Sequence, residues 1–325
     1  MPLPERKLIE RIRAHAGAPF DKLRACRVPQ ARVPYLLVGI GDDCAVLRPR
    51  RGHELLITTD FSLEDVHFRR DWHSPESVGH RCLARGLSDI AAMGGEPQAA
   101  FLSLALPAGL AQRWVDGFLR GLLKLAGRFN VPLAGGDIAQ SPAGVLADIM
   151  VIGSVPRGRA LLRSGAKPGD ALYVTGALGG SAAAIQQMRA GKKLLPAQHG
   201  AHFFPEPRIE IGRLLRRRRV ASAAIDLSDG LSTDLSHICE ESGVGAVVYA
   251  ESVPVAKGAT IELALHGGED YELLFTAAPR TRVAKEIAGV PVTRLGEIIR
   301  GDRAFVCDSN GRRKPLPPRG WEHFR

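Results

Sequence analysis

The sequence has no uncharged apolar run of the roughly 18 residues that a helix needs to cross a bilayer. Its longest candidate, Ala99 to Ala111, is short and interrupted by Pro107. A membrane span is therefore not expected. Met1 to Arg13 lacks the apolar centre of a secretory signal, because Glu5, Arg6, Lys7, Glu10, Arg11 and Arg13 crowd it, and a cytoplasmic protein is expected. Cysteine is sparse as well. The five thiols, at positions 26, 44, 82, 239 and 307, are odd in number and widely dispersed, with no C-x-x-C spacing. That pattern speaks against a disulfide framework or a zinc ribbon, and the cysteines read as reduced core residues.

Familiar catalytic signatures are missing too. There is no G-x-x-x-x-G-K-[ST] phosphate loop, no protein-kinase H-R-D with D-F-G, no H-E-x-x-H zinc helix and no G-x-S-x-G elbow. The turn Gly176-Ala177-Leu178-Gly179-Gly180 could cradle a phosphate on backbone N–H groups, but such turns are commonplace.

What is present fits a globular protein: 45% hydrophobic and 24% charged residues, in a chain of 325 residues that favours two packed domains. The formal charge of +10 favours anionic partners without choosing among nucleic acid, a membrane surface and a small phosphorylated substrate. Arg213 and Arg216 to Arg219 cluster in a helix expected after Pro207; without an aromatic-rich motif beside them they read as a solvated face rather than a nucleic-acid stripe.

Apolar strand-like runs alternate with amphipathic stretches, the pattern of an α/β or α+β fold. In the first half, strands are expected at Tyr35–Ile40, Leu55–Thr59, Ala100–Leu106 and Val145–Gly153. Ser74-Pro75-Glu76 opens a helix that Gly94-Gly95 stops, and a second helix runs from about Leu110 to Phe129. Composition shifts to Arg, Gly, Lys and Pro around Pro156 to Asp170, which places a domain crossing there and divides the chain into 1–155 and 156–325. Beyond it, strands are expected at Ala171–Thr175, Ala223–Leu227, Ala246–Tyr249, Tyr271–Phe275 and Ala304–Cys307, with a helix over Ser181–Arg189.

The repeated chemical feature is aspartate at strand ends or beside glycine: Gly41-Asp42-Asp43, Thr58-Thr59-Asp60, Ser88-Asp89, Gly135-Gly136-Asp137 and Asp226-Leu227-Ser228-Asp229-Gly230. Magnesium prefers such oxygen donors to nitrogen or sulfur, and strand ends are where α/β folds present ligands. Each segment also has a structural reading. Asp42 and Asp43 shape a turn, Asp89 pairs with Arg85 one helical turn earlier, Gly136-Asp137 sits in an ordinary loop, and Ser228 or Asp229 caps a helix starting near Leu231.

These segments, in order, resemble the thiamine-monophosphate kinase family. The resemblance is carried by Gly39 to Val46, Thr58-Thr59-Asp60 with Val66-His67-Phe68, Leu87 to Gly94, Gly135-Gly136-Asp137, Gly158-Arg159-Ala160 through Arg163 to Asp170, Ile225 to Leu231, and Gly267 to Leu273. It implies a two-domain fold like that of aminoimidazole-ribonucleotide synthetase, with an N-terminal α/β domain forming a homodimer interface and a C-terminal α/β domain completing the active site. It also implies several Mg2+ ions on Asp43, Thr58, Thr59, Asp60, Asp89, Asp137, Asp226 and Asp229, of which Asp60, Asp89 and Asp229 are the catalytic expectation. ATP is then contacted by Gly136, Asp137, Arg163 and Ser228, and thiamine monophosphate by His67 and Glu269. Where the family often carries an aromatic before its final His-Phe this chain has Pro318, and Trp321 is the nearby aromatic assigned to the acceptor. No nucleic-acid or membrane partner is implied. The alternatives are a sister ATP-dependent enzyme of the same superfamily, which the lack of a reactive Cys or Lys in an N-terminal glycine-rich loop opposes, and a non-catalytic basic binding protein.

Overall fold

The computed structural model describes residues 1–17, 35–40 and 43–324; Gly41, Asp42 and Cys26, named above, lie outside the described residues. The chain separates into two compact units, Met1–Ile90 with Glu96–Gly158, and Ala91–Gly95 with Arg159–Arg325.

The first unit contains α1 (Glu5–Gly17), a small β1 (Leu36–Val38) and β2 (Val46–Leu47) pair, β3 (His53–Leu63), α2 (Pro75–Ala92), β4 (Glu96–Pro107), α3 (Gln112–Arg128), β5 (Leu133–Ser141) and β6 (Leu146–Pro156). Ser74 Oγ accepts the Ser77 N–H at 3.2 Å and caps α2, whose first residue is Pro75. α3 buries Val115, Phe118, Leu119, Leu122 and Leu125 at helical spacing. The two helices meet backbone to backbone: a Cβ on Gly79 would lie 1.9 Å from the Phe118 carbonyl oxygen, and one on Gly121 would lie 1.9 Å from that of Glu76.

The four-stranded sheet runs β3-β6-β4-β5, antiparallel except where β4 and β5 run parallel. Strand alternation gives it two faces. Leu56, Leu102, Ile149 and Val151 are buried on one, where α2 packs closely enough that a Cβ on Gly86 would meet Val151 Cγ2 at 2.6 Å. Leu55, Ile57 and Phe61 are exposed on the other. The Gly135-Gly136-Asp137 segment is not a loop but the middle of β5. Glycine is required there because Gly136 has φ +147° and a Cβ would stand 1.8 Å from the Leu102 carbonyl oxygen.

The second unit contains β7 (Ala171–Thr175), α4 (Gly180–Arg189), α5 (Gly200–Phe203), α6 (Ile209–Arg217), β8 (Ala223–Asp226), α7 (Leu231–Ser242), β9 (Gly245–Tyr249), α8 (Ile261–His266), β10 (Leu273–Ala277), β11 (Glu286–Ile287), β12 (Val290–Ile299), β13 (Ala304–Cys307) and β14 (Arg313–Pro315). Its sheet order is β14-β13-β9-β12-β7-β10-β8, with β11 paired to β12. Leu172, Val174, Ile225, Leu235, Ile238, Val248, Leu274 and Leu295 form the core between that sheet and α7.

The basic cluster departs from a uniformly solvated face. Arg216 is buried and its Nε donates to the Gly94 carbonyl at 2.6 Å, while Arg213 pairs with Glu210. Nor are all cysteines in the core: Cys82 and Cys239 are buried, Cys307 is partly so and Cys44 is exposed, all four as free thiols. Among the described residues no helix is long and apolar enough to cross a membrane.

Candidate functional site

In the first unit the acidic residues are set by sheet alternation and helical spacing. Thr58 and Asp60 share the helix-facing side of β3, and Arg85 and Asp89 lie one turn apart on α2. The Thr58 hydroxyl donates to the Asp89 carboxylate, and Arg85 Nη1 donates to Asp60 Oδ1 at 3.1 Å and to the Phe61 carbonyl at 2.6 Å. Beneath them Cys82 is sealed from solvent, and burial pushes its thiol up to about 12, so it is inert.

The other face carries a second set. Thr59 points away from Thr58 and Asp60 by alternation, and the register aligns Phe61 with Asp148, Asp148 with Ser103, and Ser103 with Asp137. Asp137 is exposed, and its carboxylate accepts the Ile138 N–H at 2.8 Å. Three strand spacings, about 14 Å, separate β3 from β5, so no single ion is shared by Asp60 and Asp137 within the unit. Burial raises the Asp148 carboxyl above its ordinary range. Asp43 is exposed just before β2. His67 folds back on the end of β3, where Nδ1 accepts the Leu63 N–H at 3.0 Å and the ring proton is thereby placed on Nε2.

In the second unit Asp226 ends β8, buried, and the 227–230 segment turns into α7. Neither Ser228 nor Asp229 caps that helix; Gly230, at φ +115°, occupies the position without a side-chain bond. Asp234 takes over the task from the first turn of α7: one carboxylate oxygen accepts the N–H of Gly230 at 3.0 Å and of Asp229 at 3.2 Å. Burial, with the charges of Asp226 and Asp229 beside it, pushes the Asp234 carboxyl well above the usual carboxylate range. Among the described residues Asp229, Asp234 and His237 bring ligand atoms within 4.8 Å of one another. With one Asp234 oxygen committed to the backbone and His237 a nitrogen donor, Asp226 and Asp229 are the better hard-cation ligands.

The Gly267–Glu272 segment is laced to the same turn. Glu269 N–H donates to the Ser228 carbonyl at 2.7 Å and Tyr271 N–H to that of Leu227 at 2.8 Å. Glu269 and Tyr271 hold positive φ values of 65° and 51°, which also stops β10 from starting at Tyr271. Asp270 accepts the Gly179 N–H at 2.8 Å at the start of α4. Although the residue keeps partial exposure, its carboxyl group is enclosed, and desolvation raises it to about 7. Glu272 is buried, bonded by Thr175 Oγ1 at 2.5 Å and by both Nε and Nη2 of Arg208.

Trp321 is half exposed, edge-on to His323, and its backbone N–H donates to the Asp229 carbonyl at 3.0 Å. Arg163 is exposed, and its carbonyl accepts from Ser242 Oγ at the far end of α7. α7 has 12 residues, about 18 Å. The second unit therefore gathers Asp226, Ser228, Asp229, Glu269 and Trp321 around one turn and holds the Arg163 backbone apart.

Both clusters present oxygen donors, and in the second unit the carboxylates of Asp226, Asp229 and Asp234 crowd one another, a charge excess that a divalent hard cation relieves. Sequence reasoning missed Asp234, which holds the turn before α7, and it took Arg85 only as a partner for Asp89, whereas Arg85 donates to Asp60. Asp234 stands four residues after Gly230, one helical turn, and that spacing is the local signal for its place at the helix start.

Residues 41–155 match the family model described as "AIR synthase related protein, N-terminal domain", and residues 167–308 match the corresponding C-terminal domain. Thiamine-monophosphate kinase of Salmonella typhimurium is 38% identical over 323 residues, covering 94% of this chain and 95% of the relative. That of Bacillus subtilis is 32% identical over 305 residues, covering 89% and 94%. The crystal structure of thiamine-monophosphate kinase from Stenotrophomonas maltophilia superposes with a TM-score of 0.79 at 36% identity, over 92% of this chain and 95% of that one. AaThiL complexed with AMPPCP and TMP gives 0.76 at 31% identity, over 85% and 89%. Hydrogenase maturation protein HypE in complex with ATP, at 17% identity and a TM-score of 0.77 over 98% of this chain and 95% of that one, shares the fold.

Proposed function

The chain belongs to the thiamine-monophosphate kinase family, and from that membership we propose that its acidic clusters hold the magnesium ions for ATP-dependent phosphorylation of thiamine monophosphate. The observation that carries this assignment of residues is the grouping of Asp226, Asp229 and Asp234 at one turn, where burial first, and then the charges of Asp226 and Asp229, raise the Asp234 carboxyl. Asp60 with Asp89 and Thr58 forms the corresponding set in the first unit, and Asp43, Thr59 and Asp137 supply further oxygen donors. Bound there, Mg2+ would neutralise the repulsion between two polyanions and stabilise charge on the transferring group.

The protein's own groups orient the reactants. Gly136 and Ser228 are the nucleotide contacts of this reading, with Arg163 as the cationic one. His67, with its proton on Nε2, has the tautomer that donates to an acceptor phosphate oxygen, while Glu269 and Trp321 face the thiamine portion. The acceptor phosphate has a second pKa of about 6, so its attacking oxygen needs no general base near neutrality. This accounts for the absence of a nucleophile–base pair in the sequence, and it favours a single in-line displacement giving thiamine diphosphate and ADP.

The exposed Leu55, Ile57 and Phe61 on β3, an edge strand of 11 residues, support a homodimer formed through the first unit. The test is incubation with Mg-ATP and a panel of phosphorylated acceptors, with products identified by mass. Thiamine monophosphate gains one phosphoryl group and free thiamine is a poor acceptor. Turnover of selenide or an aminoimidazole precursor, with none of thiamine monophosphate, overturns the assignment.

A further inference from the structure

Three successive backbone N–H groups of the 319–321 segment are taken up by one turn of the second unit. Arg319 donates to Ser232 Oγ at 3.3 Å, Gly320 to Thr233 Oγ1 at 3.0 Å and Trp321 to the Asp229 carbonyl at 3.0 Å. The approach admits only glycine at its centre: a Cβ on Gly320 would lie 2.0 Å from the Asp229 carbonyl oxygen and 2.6 Å from Thr233 Oγ1. The hydroxyl acceptors are themselves fixed. Ser232 is fully buried, with its Oγ 2.8 Å from His266 Nδ1, and the far side of that ring faces Glu262 at 3.6 Å.

Asp229 is thus clasped on both sides of its own backbone. Its N–H is held by Asp234 and its carbonyl by Trp321. The peptide that presents the Asp229 carboxylate is continuous, through one hydrogen bond, with the peptide that presents the Trp321 indole.

We propose that Thr233 and Gly320 are positioning residues that latch Trp321 to Asp229, so that acceptor binding at the indole and metal–nucleotide binding at the carboxylate are energetically coupled. The inference rests on Trp321 contacting the acceptor and Asp229 holding Mg2+. When the latch is closed, ordering the 319–321 segment by one ligand orders the turn that receives the other, and the effect is reciprocal. Without the Thr233 hydroxyl the two sites remain but act independently.

The experiment is calorimetric titration of the intact protein with a non-hydrolysable ATP analogue in excess Mg2+, with and without thiamine monophosphate, and the reverse titration. In the wild type each ligand tightens the other by on the order of fivefold or more. Thr233→Val, which keeps the shape and removes the hydroxyl, brings that ratio close to one, while Thr233→Ser retains it. Gly320→Ala, whose Cβ would stand 2.0 Å from the Asp229 carbonyl oxygen, serves as the second variant should Thr233→Val melt prematurely, and it too brings the ratio close to one with Trp321 still in place. Wild-type protein without coupling, Thr233→Val with undiminished coupling, or Thr233→Ser as impaired as Thr233→Val each overturns the latch. Trp321→Ala separates the two levels. Unchanged affinity for thiamine monophosphate removes the acceptor assignment and the latch with it, whereas weakened affinity beside intact coupling in Thr233→Val removes the latch alone.

Discussion

Arg85 Nη1 bridges the Asp60 carboxylate and the Phe61 carbonyl, at 3.1 Å and 2.6 Å, from a side chain that is 8% exposed. One guanidinium therefore fixes the charge of a residue assigned to metal binding and the strand backbone at the residue that follows it. In Arg85→Met the carboxylates of Asp60 and Asp89 lose that neighbour, and the melting temperature falls by roughly 2–6 °C in the presence of a chelator. Added Mg2+ restores more of the loss in the variant than it contributes to the wild type, because a bound cation takes over the neutralisation. Differential scanning calorimetry with chelator and with Mg2+ checks both halves; an equal Mg2+ increment in the two proteins contradicts the Asp60 site.

Asp60→Asn, Asp89→Asn and Asp229→Asn keep shape and remove one negative charge each. Each leaves a folded protein with a rate lower by on the order of 10² to 10³, since the lost interaction belongs to charge stabilisation in the transition state. Steady-state kinetics at limiting and saturating Mg2+, beside circular dichroism, tests this; near-normal rates in all three sink the site.

Asp270 gives a pH dependence with a definite sign. Its carboxyl titrates near 4 when unfolded and at about 7 in the native protein. Between those values the native state holds a proton that the unfolded state has released, so this group makes stability fall as pH rises through the window. Asp270→Asn removes the slope, and its stability relative to the wild type improves from about pH 4 to about pH 7. Urea unfolding of both proteins across that range measures the difference, and parallel curves contradict the raised carboxyl.

The exposed apolar side chains of β3 make an oligomerisation test direct. Leu55→Lys combined with Ile57→Lys places two charges on exposed β3 positions without touching Thr58 or Asp60. Light scattering shows a dimer mass for the wild type and a monomer mass for the double variant at micromolar concentration. A wild-type monomer mass rules out the assembly.

Transfer from ATP chirally labelled at the γ-phosphorus proceeds with inversion, as a single displacement requires. Net retention, or a kinetically competent phosphoprotein, replaces the direct mechanism with a two-step one.

Much of this was legible in the sequence where local chemistry decides structure. Ser74-Pro75 marked the start of α2 because a hydroxyl and a ring constraint act within one turn. Ala223–Leu227 reads as a strand because an apolar run gives way to Ser228-Asp229-Gly230, and β8 closes one residue sooner, at Asp226. Other features depend on partners far along the chain. β5 looked like a loop because two glycines carry no strand signal, and their necessity comes from Leu102 on β4. β12 was not foreseen, since Pro291, Arg294, Gly296 and Glu297 break its alternation, and its place is fixed by β7 and β9 on either side. The Arg208–Glu272 pair, 64 residues apart, has no local trace at all.

The glycine contacts between α2 and α3 bear on motion. Where carbonyl oxygens rather than side chains form a seam, there are no rotamers to thaw as temperature rises, and neither helix can slide without breaking van der Waals contact along the other's peptide backbone. Amide exchange in Gly79 to Asp89 and in Phe118 to Leu125 should accordingly behave as one cooperative opening. The carboxylate of Asp89 then inherits the rigidity of two helices, although it is carried by only one.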